Sequence, residues 1–116
     1  MDITLNGGQI DVVIVPCDLR AGFNRLSRIA SQYLNVSINK GGHWVVFISR
    51  NRETAKIIGR DQHGSILITR KLHKGKFQQL LGLASGAAVK SLTPELLNSY
   101  LDGECIEVKR TNLLQN

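Results

Sequence analysis

HWVVFISRNRETAKIIGRDQHGSILITRK, residues 43–71, is the stretch that decides the fold. Its runs 43–49, 54–60 and 65–71 are rich in β-branched residues, which favour strands. The turn sequences RNRE and DQHG between them are short, and connections of this length join neighbouring antiparallel strands. The stretch therefore predicts a three-stranded antiparallel meander, and its first strand, apolar on both faces, is expected inside the sheet.

The segment upstream predicts a strand followed by a helix. QIDVVIV, residues 9–15, has the composition of a strand, closed by Pro16, and is expected beside 43–49. Asp18 is a good N-cap, and a helix of about four turns follows from the 3.6-residue period. Gly22 would lie inside this helix, where a strand crosses closely. The apolar stripe, centred on Phe23, comprises Leu19, Phe23, Leu26, Ala30 and Tyr33 or Leu34.

The C-terminal segment predicts one short helix. Residues 81–91 are small and glycine-rich and are expected to form a loop. Thr93 is an N-cap before Pro94 at the first helical position, and Gly103 stops the helix. Residues 104–110 are interpreted as a last strand, and 111–116 as a frayed tail.

Length and composition favour one α+β domain over residues 1–116. A chain of 116 residues with 42% hydrophobic content can supply one core. The predicted fold is an antiparallel sheet of about four strands, packed with one longer N-terminal helix and a short C-terminal helix. The oligomeric state does not follow from the sequence.

Cysteine usage and hydropathy favour a cytoplasmic protein. Cys17 and Cys105 have no CxxC spacing and are interpreted as reduced thiols. The N-terminus lacks a basic region of the kind that begins a signal peptide, and no apolar run approaches the roughly 18 residues of a membrane span. We therefore expect no membrane association.

Positive charge is concentrated between residues 40 and 76. This segment holds nine basic residues against two acidic ones, a net charge of +7, whereas the whole chain carries +6. Such an asymmetry indicates an anionic partner, with duplex DNA as the first hypothesis. The candidate phosphate-binding residues are Arg50, Arg52, Lys56, Arg60, Arg70, Lys71, Lys74 and Lys76.

A basic β-ribbon is the predicted binding element. In a strand over 54–60, Thr54, Lys56 and Arg60 project to one side while Ala55, Ile57 and Gly59 project to the other. A two-stranded ribbon with one charged face can enter a major groove or follow phosphates. Two other interpretations stay open: a solvated, protected strand edge, and a surface that docks an acidic protein. Arg20 and Arg28 are second-choice contacts.

The sequence offers no convincing catalytic or metal-binding set, so we expect neither an enzyme nor a cofactor. Glu107-Val108-Lys109, with Asp102 upstream, has the acid-x-lysine spacing of one nuclease class, but this spacing is common by chance. The histidines, His43, His63 and His73, form no metal-ligand spacing. A metal-dependent nuclease is therefore the least favoured alternative.

Several motifs taken together resemble a known family, the small accessory protein from the second open reading frame (TnpB-type) of bacterial insertion sequences related to insertion sequence sixty-six. DLRAGFNRL, residues 18–26, stands where the family has D-M-R-K-G-F-D-G-L, and RKLHKGKF, residues 70–77, stands where it has K-R-L-E-x-G-R-F. The resemblance covers residues 8–103. Its matching positions include Asp18, Arg20, Gly22, Phe23, Leu26, Leu72, Gly75 and Phe77.

The resemblance implies a role in transposition beside a separate, larger transposase. The expected partners are then duplex DNA at the transposon ends and the transposase of the same element. An adaptor that docks the transposase without contacting DNA is the alternative. The chain departs from the family pattern at Gly59 and Arg60, where relatives carry aromatic residues.

Overall fold

The computed structural model describes residues 8–80, 88–89 and 91–107. Its elements follow one another along the chain as strand, helix, a run of three strands, a two-residue strand and a helix. They are β1 (Gln9–Cys17), α1 (Phe23–Leu34), a 3-10 turn (Ile38–Lys40), β2 (His43–Ser49), β3 (Thr54–Asp61), β4 (Gly64–Lys71), β5 (Ala88–Val89) and α2 (Pro94–Leu101).

The strands form one five-stranded sheet in the order β4-β3-β2-β1-β5. The predicted meander β2-β3-β4 is confirmed, with antiparallel pairing throughout. β1 lies beside β2, as predicted, and this pair is parallel because α1 carries the chain back across the sheet. The fold is therefore α+β with a mostly antiparallel sheet, and α1 and α2 pack on opposite faces.

Each face of the sheet has its own core. On one face, Leu26 and Ala30 of α1 pack with Val45, Phe47 and Ile58. The other core contains the following side chains: Trp44, Val46, Ile57, Phe77, Leu97, Tyr100 and Leu101. β2 is buried on both faces, which confirms its predicted interior place. Burying each large apolar side chain contributes roughly 1.5–3 kcal/mol, so the two cores hold the layers together.

The predicted start of the first helix is wrong. α1 begins at Phe23 with Gly22 as its N-cap, and Asp18 caps nothing. A Cβ added to Gly22 would meet no atom within 4 Å, so no strand crosses there. Phe23 is half-buried at the edge of the core, whereas Leu26 is fully buried at its centre.

Three boundaries near the sheet edges also differ from the predictions. β1 runs through Pro16 to Cys17, and its pairing with β2 shifts register between Val13 and Cys17, an interval in which a proline without an N–H can be accommodated. The predicted loop over 81–91 contains β5, which pairs with β1; residues 81–87 and 90 lie outside the described residues. No strand forms over 104–107, and the rest of the predicted last strand and tail lie outside the described residues.

α2 begins and ends as predicted. The Thr93 hydroxyl accepts a hydrogen bond from the Leu96 N–H at 3.2 Å, which confirms the N-cap. Gly103, with a φ of +87°, follows the last turn. Neither helix in the described residues is long and apolar enough to cross a membrane.

Candidate nucleic-acid interface

Two basic segments that are distant in sequence meet at one end of the sheet. Thr54 pairs with Lys71, which places the β2–β3 turn beside the end of β4. The Leu72 N–H donates to the Glu53 carbonyl at 2.9 Å, and the Phe77 N–H donates to the Arg52 carbonyl at 2.7 Å. Segment 72–77 is therefore held along the turn. We call the cations gathered here the cationic end: Arg50, Arg52, Arg70, Lys71, Lys74 and Lys76.

Buried side chains fix the loop that displays two of these lysines. Phe77 is fully buried and its ring stacks on Tyr100, with centroids 5.5 Å apart. Leu72 packs against the same core at the other end of the loop. Gly75 has a φ of +79°, a conformation that favours glycine. Lys74 and Lys76 flank Gly75 and are both exposed.

The β2–β3 turn is organised by its own polar side chains. The Asn51 side-chain oxygen accepts from the Ser49 hydroxyl at 2.7 Å and from the Glu53 N–H at 3.1 Å. The Ser49 hydroxyl in turn accepts from the Thr54 N–H at 3.1 Å. Arg50 is exposed on this turn, whereas Arg52 is partly buried and has a φ of +60°. The turn is thus a defined structure on which Arg50 is the outward cation.

Besides Arg60, which is described below, three of the predicted phosphate contacts are engaged within the fold by hydrogen bonds or an ion pair. The Arg52 guanidinium donates to the Phe77 carbonyl at 3.3 Å, and the Lys56 ammonium donates to the Ala21 carbonyl at 3.1 Å. Arg70 lies 3.8 Å from the Asp102 carboxylate. These side chains contribute positive potential while also serving the fold. The cations of the cationic end that are exposed are Arg50, Lys71, Lys74 and Lys76.

Arg60 lies at the opposite end of the sheet. It pairs with Ser65 next to the β3–β4 turn, and its guanidinium donates to the Asn39 carbonyl at 3.4 Å. That turn has the predicted short form: the Asp61 carboxylate accepts from the N–H groups of His63 and Gly64 at 2.8 and 3.0 Å. The structure therefore separates Arg60 from the other predicted contacts.

The two sides of β3 alternate as predicted, but neither side is a free charged face. Ala55 and Ile57 belong to the core under α2, and Ile58 belongs to the core under α1. Lys56 and Arg60 share the side of Ile58, so α1 covers the sheet between them. Positive charge is concentrated at an end of the sheet and not along one face of the ribbon.

A turn before α1 lies next to Arg50. The Asp18 carboxylate accepts from the Arg20 N–H at 3.0 Å and from its guanidinium at 2.9 Å. These hydrogen bonds lower the pKa of Asp18 to about 2, because they favour the charged carboxylate. Asp18 and Leu19 line a surface cleft together with Arg50.

One cation near this cleft was missed in the sequence analysis. Arg25 is exposed in the first turn of α1, and its charge also lowers the pKa of Asp18. No local sequence signal marks Arg25, so only the fold shows that it lies near Asp18, which shares the cleft with Arg50. Arg28, a second-choice contact, is exposed further along α1.

The buried carboxylate of Asp11 has a structural role. It is 1% exposed, and it accepts hydrogen bonds from the side chains of Gln9 and His43, at 3.2 and 2.9 Å, and from the Ser91 N–H at 3.0 Å. These bonds join β1, β2 and the segment before α2. A buried carboxylate needs such partners, and here it holds three parts of the chain together.

The other residues considered for metal binding or catalysis do not come together as a site in the described structure. In the residues that the structure describes, no group of three or more His, Cys, Asp and Glu side chains is placed to hold a metal ion. Asp102 is near Arg70. Of the acid-x-lysine motif, Glu107 is exposed, while Val108 and Lys109 lie outside the described residues. What the arrangement offers chemically is a group of positive charges at one end of the sheet.

The sequence model of one protein family, described as IS66 Orf2 like protein, matches residues 8–111. The match spans most of the chain and contains both motif segments described above. No curated protein and no solved structure matches the chain.

Proposed function

The chain belongs to the IS66 Orf2-like family of transposition accessory proteins, and on that premise we propose that its cationic end binds the phosphates of duplex DNA at the ends of the mobile element. The observation that carries the proposal is that two backbone hydrogen bonds, Leu72 to Glu53 and Phe77 to Arg52, hold the loop of Lys74 and Lys76 beside the turn of Arg50 at one end of the sheet. Such a cluster is what sequence-independent phosphate binding requires.

The geometry favours phosphates over base edges. Lys71, Lys74 and Lys76 are exposed and end in compact ammonium groups that pair with phosphate oxygens as point charges. Of the three arginines at the cationic end, the residues suited to bidentate contact, Arg52 and Arg70 are partly engaged within the fold and Arg50 is exposed. DNA affinity should therefore come mainly from counterion release, with little dependence on sequence.

A matched pair of charge reversals tests the proposal. Lys74→Glu with Lys76→Glu reverses two exposed cations at the cationic end. Lys40→Glu with Arg60→Glu makes the same change in net charge at the opposite end, where both residues line one surface cleft. Binding of a fluorescent duplex is measured by anisotropy for both variants and the parent, and thermal unfolding checks the fold.

We expect the Lys74/Lys76 variant to lose at least tenfold in affinity and the Lys40/Arg60 variant to stay within a few-fold of the parent. Equal losses would mean that net charge alone matters, which contradicts a site at the cationic end. If the parent binds no duplex at low salt but the Lys74/Lys76 variant no longer binds the transposase, the chain is a protein adaptor.

A further inference from the structure

The outer edge of β4 is long, regular and open in the residues that the structure describes. β4 pairs with β3 over all eight residues from Gly64 to Lys71 without a shift in register, and β3 is its only neighbour in the described sheet. Proteins usually protect such edges with proline, bulges or charges, because an open edge pairs with other strands. From Ser65 to Thr69 this edge has none of these devices.

The edge is apolar on both sides of the sheet. Leu67 is 42% exposed on the side of α1. Ile66 and Ile68 point to the opposite side and are only partly buried against the core there. The other large exposed hydrophobic side chain in the described residues is Tyr33, which belongs to α1, and this helix contacts β4. A strand added to this edge would bury apolar surface on both sides.

We propose that β4 pairs antiparallel with β4 of a second copy of this chain, about a two-fold axis at Leu67. Two residues that lie opposite each other on neighbouring strands must point to the same side of the sheet. In a symmetric pair of β4 strands, an odd-numbered residue therefore lies opposite an odd-numbered one, and an even-numbered residue opposite an even-numbered one. With Leu67 opposite its own copy, Ile66 lies opposite Ile68 and Ser65 opposite Thr69. Apolar side chains then meet apolar ones on both sides of the sheet.

The charges favour the same register. With Leu67 on the axis, Arg70 lies opposite Gly64 and Lys71 opposite His63, so the cations of the two copies stay at opposite ends of the joined edge. A register centred on Ile68 would place Arg70 opposite Ile66, and one centred on Thr69 would place Lys71 opposite Leu67. Both of these place a cation against an apolar residue.

A second copy suits this edge better than an acidic segment of another protein. The five central residues, 65–69, carry no charge that could attract acidic side chains. Pairing through this edge joins two five-stranded sheets into one continuous sheet, with α1 of both copies on the same side. The inference does not depend on DNA binding, although such a dimer would present two cationic ends to one polyanion.

The oligomeric state of the full chain tests the proposal. Sedimentation velocity over a concentration series should show reversible dimerisation of the parent. Leu67→Lys places two ammonium groups opposite each other on the axis and should leave a folded monomer at every concentration. Gln32→Lys, which adds the same charge at an exposed position of α1, should dimerise as the parent does.

Disulfide trapping tests the register. The exposed Cys105 is first replaced by serine, and that background serves as the control. Leu67→Cys should cross-link under mild oxidation, because residues opposite each other on a strand pair lie within disulfide range. Ser65→Cys alone should not, whereas Ser65→Cys mixed with Thr69→Cys should.

Three results obtained with this protein alone would overturn the proposal. One is a folded parent that stays monomeric at all concentrations and gives no Leu67→Cys cross-link. Another is a dimer that persists in Leu67→Lys. The third is cross-linking of Ser65→Cys as efficient as that of Leu67→Cys. Protection of Leu67→Cys from alkylation only when the transposase is added would assign the edge to that partner and not to a second copy.

Discussion

Arg52 and Phe77 bind each other in both directions across 25 positions of the sequence. The Phe77 N–H donates to the Arg52 carbonyl at 2.7 Å, and the Arg52 guanidinium donates to the Phe77 carbonyl at 3.3 Å. Because Phe77 is also stacked on Tyr100 in the core, this pair anchors the lysine-bearing loop to the β2–β3 turn. The position of the cationic end therefore depends on the hydrophobic core.

We expect Arg50 and Arg52 to differ in their effect on stability, although they are two residues apart. Arg52→Ala removes the hydrogen bond to the Phe77 carbonyl and should lower the free energy of unfolding by about 1.5 kcal/mol, a typical value for a bond with one charged partner. Arg50→Ala, at an exposed position, should change it by less than about 0.5 kcal/mol. Urea unfolding of both variants measures the difference, and equal effects would contradict the anchoring role of Arg52.

The two phenylalanines of the family motifs, Phe23 and Phe77, should also differ in how much they contribute to the free energy of unfolding. Phe77→Ala empties a fully buried site and should cost about 3–5 kcal/mol. Phe23 is only half-buried at the start of α1, so Phe23→Ala should cost clearly less. A loss at Phe23 as large as that at Phe77, measured by the same urea unfolding, would show that the apolar stripe is centred on Phe23 after all.

Adding a side chain should lower the stability of the protein at one glycine, Gly59, and raise it at another, Gly22. A Cβ on Gly59 would overlap the ring of Trp44, so Gly59→Ala should destabilise by about 1–3 kcal/mol through overpacking. It should also shift the fluorescence of Trp44, which is the protein's single tryptophan. Gly22 is the N-cap of α1 with no side-chain cap bond, so Gly22→Ser should stabilise by roughly 0.2–0.5 kcal/mol. Unchanged stability in both variants would contradict this account.

Alkaline pH should remove a stabilising contribution of Tyr100. Burial raises the pKa of this phenol from 10.0 to about 12, while its O–H donates to the Gln78 carbonyl at 2.8 Å. Because the folded-state pKa is above the unfolded one, the contribution is complete below pH 10 and is lost as the pH rises to about 12. The stability difference between the parent and Tyr100→Phe should therefore shrink over that interval in pH-dependent unfolding, and a constant difference would contradict it.

DNA affinity should fall steeply with salt if the proposed function is right. The slope of log affinity against log salt concentration is about 0.9 per neutralised phosphate in duplex DNA. Replacing Lys74 and Lys76 by glutamine should therefore reduce the slope by about 1.8 if each lysine neutralises one phosphate. Anisotropy titrations at several salt concentrations measure it. If the glutamine variant shows the same slope as the parent, these lysines contact no phosphate.

The sequence by itself determined the meander and the capped helix α2, because both depend on local signals. Period-two alternation with β-branched residues specifies a strand, and the Asp61–Gly64 turn and the Thr93 cap form within a few residues of the chain. The family motifs, too, are local and could be recognised directly. They do not reveal which residues are neighbours in space.

Tertiary structure decided the rest. The start of α1 at Phe23 depends on the Asp18–Arg20 turn, in which the aspartate accepts from Arg20 and does not cap the helix. β5 is a strand only because β1 lies beside it. The separation of Arg60 from Lys74 and Lys76 follows from strand register and from the burial of Phe77, which are long-range interactions. A count of charges along the chain contains no information about such contacts, so the sequence could predict an excess of positive charge but not the end of the sheet at which it lies.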